Sequence, residues 1–183
     1  MDLLAESIDE KYVFFPYSKD YPKVFQKEKR FISKLLSQIS KKEIHHIGST
    51  SVPNLGGKKI IDVIVVVPKS EWSVSKKLLK EGGFVYYHTM KRKRSFFYKY
   101  YLNKEKKVVL VHLHITYFGS GELEKALAFR DYLINFPSVR KQYELIKKRA
   151  FELHPKNRVG YVEFKRSFVE STLKDALLWW GNK

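Results

Sequence analysis

An α+β fold, with a mixed β-sheet, a helix before it and a helical cap after it, is what three features of this sequence predict. Apolar residues recur every three or four positions from Val24 to Ile39, strand-like apolar runs fill the middle from Ile44 to Tyr117, and helical periodicity returns after Gly119. No internal repeat, low-complexity tract or Gly/Ser linker divides the chain. Residues 1–183 are therefore read as one domain, a mixed-sheet core over about 12–118 with a helical part over about 119–180 packed on it.

The first helix is expected to start at Asp20, a residue suited to capping, and to bury Phe25, Phe31, Ile32, Leu35, Leu36 and Ile39 while its lysines stay in water. Ile44 to Ile47 and Ile60 to Val67 read as buried strands, and a short helix from about Glu71 to Glu81 ends at Gly82-Gly83. Phe84 to His88, Ser95 to Leu102 and Lys107 to Tyr117 read as further strands, with the groups 91–94 and 103–106 as turns. After Gly119 one helix carries Leu123, Ala126, Leu127, Arg130 and Leu133. Asn135-Phe136-Pro137 interrupts it, a second helix runs from Val139 to Leu153, and His154-Pro155 precedes a last one from Val159 to about Trp180.

Composition narrows the function classes. With 44% hydrophobic and 15% aromatic residues the 183-residue chain can bury a real core. Zero cysteines exclude disulfides, thiolate zinc sites and a thiol nucleophile, so any metal must rest on His, Asp or Glu. Asp2, Glu6, Asp9 and Glu10 precede the brief apolar run 12–15, which is neither a basic leader nor a membrane span, and a soluble cytoplasmic protein is expected. The net charge of +17, from 36 Lys and Arg against 19 Asp and Glu, favours anionic partners and allows nonspecific nucleic-acid contact. The basic residues are spread along the chain and no finger, recognition-helix or aromatic RNA-binding signature accompanies them, so a lysine-rich background explains the charge equally well.

The chemistry concentrates at His46-Ile47-Gly48-Ser49-Thr50-Ser51-Val52-Pro53 and at the strand opening Lys58-Lys59-Ile60-Ile61-Asp62. Gly48 lets a ligand approach the main chain, the three hydroxyl residues add donors, and Lys58 and Lys59 bring positive charge where the loop returns. A phosphate would suit such a turn, although serine-rich turns are common without one. On the second strand Ile60, Asp62, Ile64 and Val66 share a face, and Asp62 is the polar residue among them. A buried lone carboxylate is costly, so Asp62 should lie at a cleft, meet a cation, or accept hydrogen bonds from the turn.

His112 and His114 share one strand face about 6 to 7 Å apart, where they could ligate a metal, grip phosphate or simply be satisfied histidines of a half-buried strand. Of His45 and His46, His46 is preferred for its place beside the turn. Trp179-Trp180 read as packing or a partner surface.

Together these segments resemble the GrpB family, placed in the nucleotidyltransferase superfamily, with relatives fused to some dephospho-CoA kinases. The marks are Tyr17 with 20–25, 46–53, Lys58 with 60–62, Arg94, Phe96, Phe97 and Lys99, 111–114, 129–133, and Tyr161, Glu163, Lys165 and Phe168. The resemblance implies a nucleotidyltransferase-like mixed sheet in which Gly48 and Ser49 hold a triphosphate and Asp62 contributes to a magnesium site. It also exposes a departure. Active members of that superfamily usually carry a second carboxylate two residues after the first, and here Ile64 occupies that position.

Three arrangements answer the gap: His112 and His114 complete the metal site with Asp62, one Mg2+ arrives with the nucleotide, or the domain binds a phosphate compound without catalysis. The leading expectation is transfer of a nucleoside monophosphate from a nucleoside triphosphate to a small acceptor. In it Asp62, His112 and His114 are catalytic and metal-binding, and His46, Gly48, Ser49, Thr50, Ser51, Lys58, Arg94, Lys99 and Arg130 bind phosphate. The alternative is a noncatalytic nucleotide- or coenzyme A-binding accessory module. Arg130-Asp131 and Glu163 with Lys165 could line the same cleft or form an interhelical ion network, and the network is the expectation for Glu163 and Lys165.

Overall fold

The structure, a computed structural model, describes residues 13–91 and 93–182. Asp2, Glu6, Asp9 and Glu10, the start of the apolar run at residue 12, and the second member of the 91–94 basic group lie outside the described residues. Helix α1 spans Tyr21–Leu35, with Pro22 in its first turn where a missing N–H costs nothing. Asp20 stands at the cap position, but its carboxylate makes no capping bond and lies 3.6 Å from Lys23 instead. The helix ends at Leu35, short of the expected Ile39, and a tight turn still delivers Leu36 and Ile39 to the core.

Five strands follow: β1 (Glu43–Ile47), β2 (Ile60–Val67), β3 (Val85–Met90), β4 (Arg94–Leu102) and β5 (Val108–Tyr117). They form one sheet in the order β1-β2-β5-β4-β3, with β2 parallel to β5 and the other neighbours antiparallel. Helix α2 (Trp72–Glu81) stops at the Gly82-Gly83 pair, where Phe84 N–H closes back on Leu79 O. Asn103 shapes the turn between β4 and β5 by accepting from the Glu105 and Lys107 amides. Arg94, expected in a turn, instead opens β4 opposite Met90 and Thr116, because its backbone completes the ladder.

The two faces of the sheet have different fates. Ile61, Val63, Val65 and Val67 join Phe97, Val111, Leu113 and Ile115 beneath α1 and α2, the main core. Asp62, Ile64 and Val66 point the other way.

Helices α3 (Glu122–Asn135), α4 (Pro137–Leu153) and α5 (Arg158–Gly181) make the cap. Pro137 both ends α3's run and serves as the first residue of α4. The cap meets the β1–β2 loop through a small core of Val52, Leu55 and Leu133 with Phe129, Val139 and Tyr143. Trp179 packs on Tyr132 and Phe136, so that ring serves the cap interior. Among the described residues no helix is long and apolar enough to cross a membrane.

Candidate functional site

The loop from Gly48 to Lys59 is held on three sides. Ser49–Ser51 forms a single 3-10 turn. The buried Thr50 hydroxyl donates to Ile60 O at 2.8 Å and receives His46 Nε2 at 3.0 Å, which fastens the turn to the start of β2. Phe15 and Gly57 exchange both backbone hydrogen bonds, at 2.9 and 2.8 Å. From the cap, Arg130 Nη1 donates to His46 O at 3.0 Å while its Nε holds Asp131 at 2.6 Å.

Gly48 sits at φ 71°, and a methyl group built on it would stand 2.8 Å from Asp62 Cγ and closer to Oδ2. The turn and the carboxylate are therefore in direct contact, and only glycine permits it. The parallel register then places His112 opposite Asp62 and His114 opposite Ile64. His112 Nδ1 lies 3.4 Å from Asp62 Oδ1, and each of these two side chains keeps 23% of its surface exposed, so water and small ions reach the pair. His114 is set deeper, 5.0 Å from the Phe96 ring, with a buried Nδ1 that has no hydrogen-bond partner; burial holds its imidazole down at about 3, so it is neutral.

Three lysines converge on the same place. Lys147 of α4 is 2% exposed and donates to Gly56 O. A methyl on Gly57 would lie 2.9 Å from Ser49 Oγ and 3.1 Å from Lys147 Nζ, so the hydroxyl and the ammonium face each other across that glycine. Lys58 and Lys165 lie over the same Tyr161 ring, 4.6 and 4.0 Å from its centre.

Burial, then the Lys165 and Arg158 charges, hold Lys58 down at about 7, with Asp62 opposing. Burial and then Lys165 bring Lys147 to about 7 against Glu144 and Asp62, and burial brings Lys165 to about 8 against Asp62. Burial is the first cause of each depression, and a neighbouring anion would favour the charged form of all three amines.

The sheet's parity separates the other sequence candidates. His46 pairs with Val63 and so faces α1, stacked on Phe25 at 4.7 Å. Burial, with Arg130 adding to it, holds its ring down at about 4 against the pull of Asp62, and it supports the loop from behind. His45, the neighbour set aside, shares the Asp62 side opposite Ile64 but is engaged with Glu43 at 3.1 Å. Lys99 pairs with Val111 and lies 3.7 Å above the Phe31 ring on the α1 side, so it does not reach the turn.

Thr50 is buried within its own bonds, and Ser51 Oγ is spent on Gly48 O at 2.6 Å. Arg94 is on the Asp62 face but turned to Glu122 at 3.5 Å. Glu163 pairs with Arg166 on its own helix, not with Lys165 across helices.

Lys147 escaped the sequence reading altogether. Its signal was a charge on an apolar helical stripe, four residues after Tyr143 and three before Ala150, and Lys165 repeats this between Tyr161 and Phe168.

A protein-held magnesium requires several hard oxygen ligands in octahedral array. Here Asp62 offers one carboxylate, Ile64 is 0% exposed in apolar packing, and the nearby His112 is a nitrogen donor. Among the described residues no group of three or more His, Asp or Glu side chains is placed to hold a metal ion. Asp62, His112 and His114 thus share a face without forming the expected metal centre, because His114 sits a pleat deeper beside Phe96. The residues do not fit a protein-ligated magnesium.

The profile of the GrpB family, described as GrpB protein, matches residues 12–175. The chain belongs to the GrpB family. Among GrpB relatives it is 31% identical to UPF0157 protein YqkA of Bacillus subtilis over 89% of this chain, yet it spans only 46% of YqkA's length. Glutamate-rich protein GrpB of Alkalihalophilus pseudofirmus is 26% identical over 89% of this chain and 94% of its own. The crystal structure of GrpB from Enterococcus faecalis superposes with a TM-score of 0.77 at 28% identity, covering 90% of this chain and 97% of that one. GLD-2 in its complex with RNP-8 shares the fold at a TM-score of 0.56 and 10% identity, over 84% of this chain and 58% of that one. The GrpB fold seen here is accordingly nucleotidyltransferase-like.

Proposed function

We infer that this GrpB protein binds a nucleoside triphosphate at the Gly48–Asp62 cleft and transfers its nucleoside monophosphate to a small acceptor. The observation that carries the reading is the convergence of Lys58, Lys147 and Lys165, all held below their ordinary pKa, on Ser49 and Asp62. A polyphosphate would bring anionic charge to those buried and half-buried amines, and the direct contact of the Gly48 main chain with Asp62 would set any phosphate held by the turn next to that carboxylate. A fold shared with GLD-2, part of a noncanonical poly(A) polymerase complex, supports the reaction class by analogy of fold.

In this reading an acceptor hydroxyl attacks the α-phosphorus, the bond to the bridging oxygen breaks, and pyrophosphate leaves toward the lysines. The hydroxyl proton passes to the free nitrogen of His112, while Asp62 at 3.4 Å from Nδ1 orients the ring and stabilises the imidazolium. Magnesium enters only as the nucleotide's own companion.

A second reading, a noncatalytic module for a nucleotide or a coenzyme A-like molecule, is favoured by Ile64, which denies the cleft a second carboxylate. Thermal shifts with ATP, GTP and coenzyme A, each with and without magnesium, test binding, and release of pyrophosphate from ATP, with water as surrogate acceptor, tests chemistry. Loss of pyrophosphate release in Asp62→Asn and His112→Ala, with the ATP shift retained in His112→Ala, is the expected pattern. Binding with no turnover by the unaltered protein gives the module reading instead. Absence of any shift with ATP, GTP and coenzyme A refutes both.

A further inference from the structure

Beside the cleft lies a groove of about 600 Å3 that the triphosphate reading leaves unused. It runs from Gly48, which it shares with the anion cradle, to the turn between β3 and β4. Its volume suits a small molecule, not a membrane or a protein surface. Phe129, Val169 and Leu173 supply an apolar wall from α3 and α5. The rim is charged: Lys91, Lys93, Arg94 and Lys125 stand against Glu122.

That carboxylate is already engaged, by Arg94 at 3.5 Å and Lys125 at 3.0 Å. Among the described residues no carboxylate pairs with Lys91 or Lys93. Arg94 also carries a buried Nε with no hydrogen-bond acceptor, and a buried donor left unpaired costs free energy that a ligand oxygen would recover. Apolar walls beneath a cationic rim strengthen the field felt by an anion lying in the groove.

We propose that this groove is the acceptor site and that the acceptor is an acidic small molecule with an apolar body. Its anionic group meets Lys91, Lys93 and the Arg94 guanidinium. Its body lies along Phe129, Val169 and Leu173, and its hydroxyl extends past Gly48 toward His112. The role as acceptor site rests on the transferase reading, whereas the groove's preference for acidic amphipathic molecules stands on its own residues.

The test is isothermal titration of the protein with 1-naphthyl phosphate, 1-naphthoate, 1-naphthol and inorganic phosphate, with ATP titrated separately. 1-Naphthyl phosphate should bind at least tenfold more tightly than either 1-naphthol or inorganic phosphate, because it alone of the three offers both charge and an apolar body. Comparison with 1-naphthoate tells a phosphate from a carboxylate head group. Lys91→Glu with Lys93→Glu should weaken 1-naphthyl phosphate by tenfold or more and leave ATP affinity unchanged. Equal binding of 1-naphthol, no response to the double charge reversal, or an equal loss of ATP affinity overturns the proposal. So does a single-stranded oligonucleotide that binds through Lys91 and Lys93 where 1-naphthyl phosphate does not. Failure of ATP to bind while 1-naphthyl phosphate still does condemns the transferase reading and not the groove.

Discussion

Replacing Lys147 by Met should stabilise the empty protein in acid and destabilise it in alkali, a change of sign that follows from where the amine sits. Lys147 is 2% exposed, and burial with the neighbouring Lys165 charge brings it from an ordinary 10.5 to about 7. At about 1.4 kcal/mol per pKa unit, carrying that ammonium at pH 6 costs the fold roughly 4–5 kcal/mol. Methionine keeps most of the stem's packing and removes the charge, but it abandons Gly56 O, and a buried carbonyl left unpaired costs about 1–3 kcal/mol. The net gain at pH 6 is about 2 kcal/mol, or roughly 4–8 °C in Tm for a chain of this size.

Between pH 7 and 10.5 the unfolded chain holds the Lys147 proton and the folded chain does not, so the unaltered protein gains stability from this site as pH rises. By pH 10 the charge cost has gone, the lost hydrogen bond remains, and Lys147→Met should melt below the unaltered protein. Thermal melts at pH 6, 8 and 10, with and without pyrophosphate, measure this directly. Pyrophosphate should raise the Tm of the unaltered protein most at pH 6 and that of the variant much less. A variant that is less stable by the same margin at pH 6 and pH 10 refutes the argument, since the ammonium would then already be compensated and the cluster would have no demand for an anion.

Gly48→Ala should abolish the ATP thermal shift and cost about 1–3 kcal/mol, because φ 71° strains any L side chain and the new methyl meets Asp62; an unchanged ATP shift would show that the turn is not part of the cradle. Tyr101→Phe removes the 2.6 Å hydrogen bond to the 2%-exposed Glu28 on the α1 side, and should lower stability by about 1–3 kcal/mol in denaturant titration while leaving ATP affinity intact; coupling between the two would contradict the separation of the sheet's faces. Ile64→Asp installs the missing carboxylate at a fully buried position, so its Tm should fall by several degrees without metal and recover partly with magnesium. A variant indifferent to magnesium would mean that Asp62 and position 64 cannot share an ion even when both are acidic.

The elements were legible because each has the periodicity of its class, and Asp62 was legible because a carboxylate interrupts seven apolar neighbours from Ile60 to Val67. Alternation also correctly put His112 and His114 on one face. What alternation could not say was which residues of different strands share that face. His46 and Lys99 were expected at the phosphate and lie behind the sheet, since the register that pairs them with Val63 and Val111 is fixed by tertiary structure. Lys147 and Lys165 follow Asp62 by 85 and 103 residues along the chain, and nothing local reveals that α4 and α5 bring them back to it.

The direct pairing of β2 with β5 gives the site its character. Because the two strands run parallel and in register, whatever follows Asp62 by two residues sits beside whatever follows His112 by two. In this chain those are Ile64 and a neutral His114 whose Nδ1 is buried, so the row carries a carboxylate only at its outer end. A second acid at position 64 would add negative charge that only a cation could balance. With Ile64 there, the cleft carries fewer carboxylates than amines: burial holds Lys58, Lys147 and Lys165 below their ordinary values, and Asp62 opposes that in each. In the proposed reading, a polyphosphate held by lysines would demand less of a protein-bound metal than one facing a pair of carboxylates, so Ile64 and the buried Lys147 with half-buried Lys58 and Lys165 would serve one physical solution.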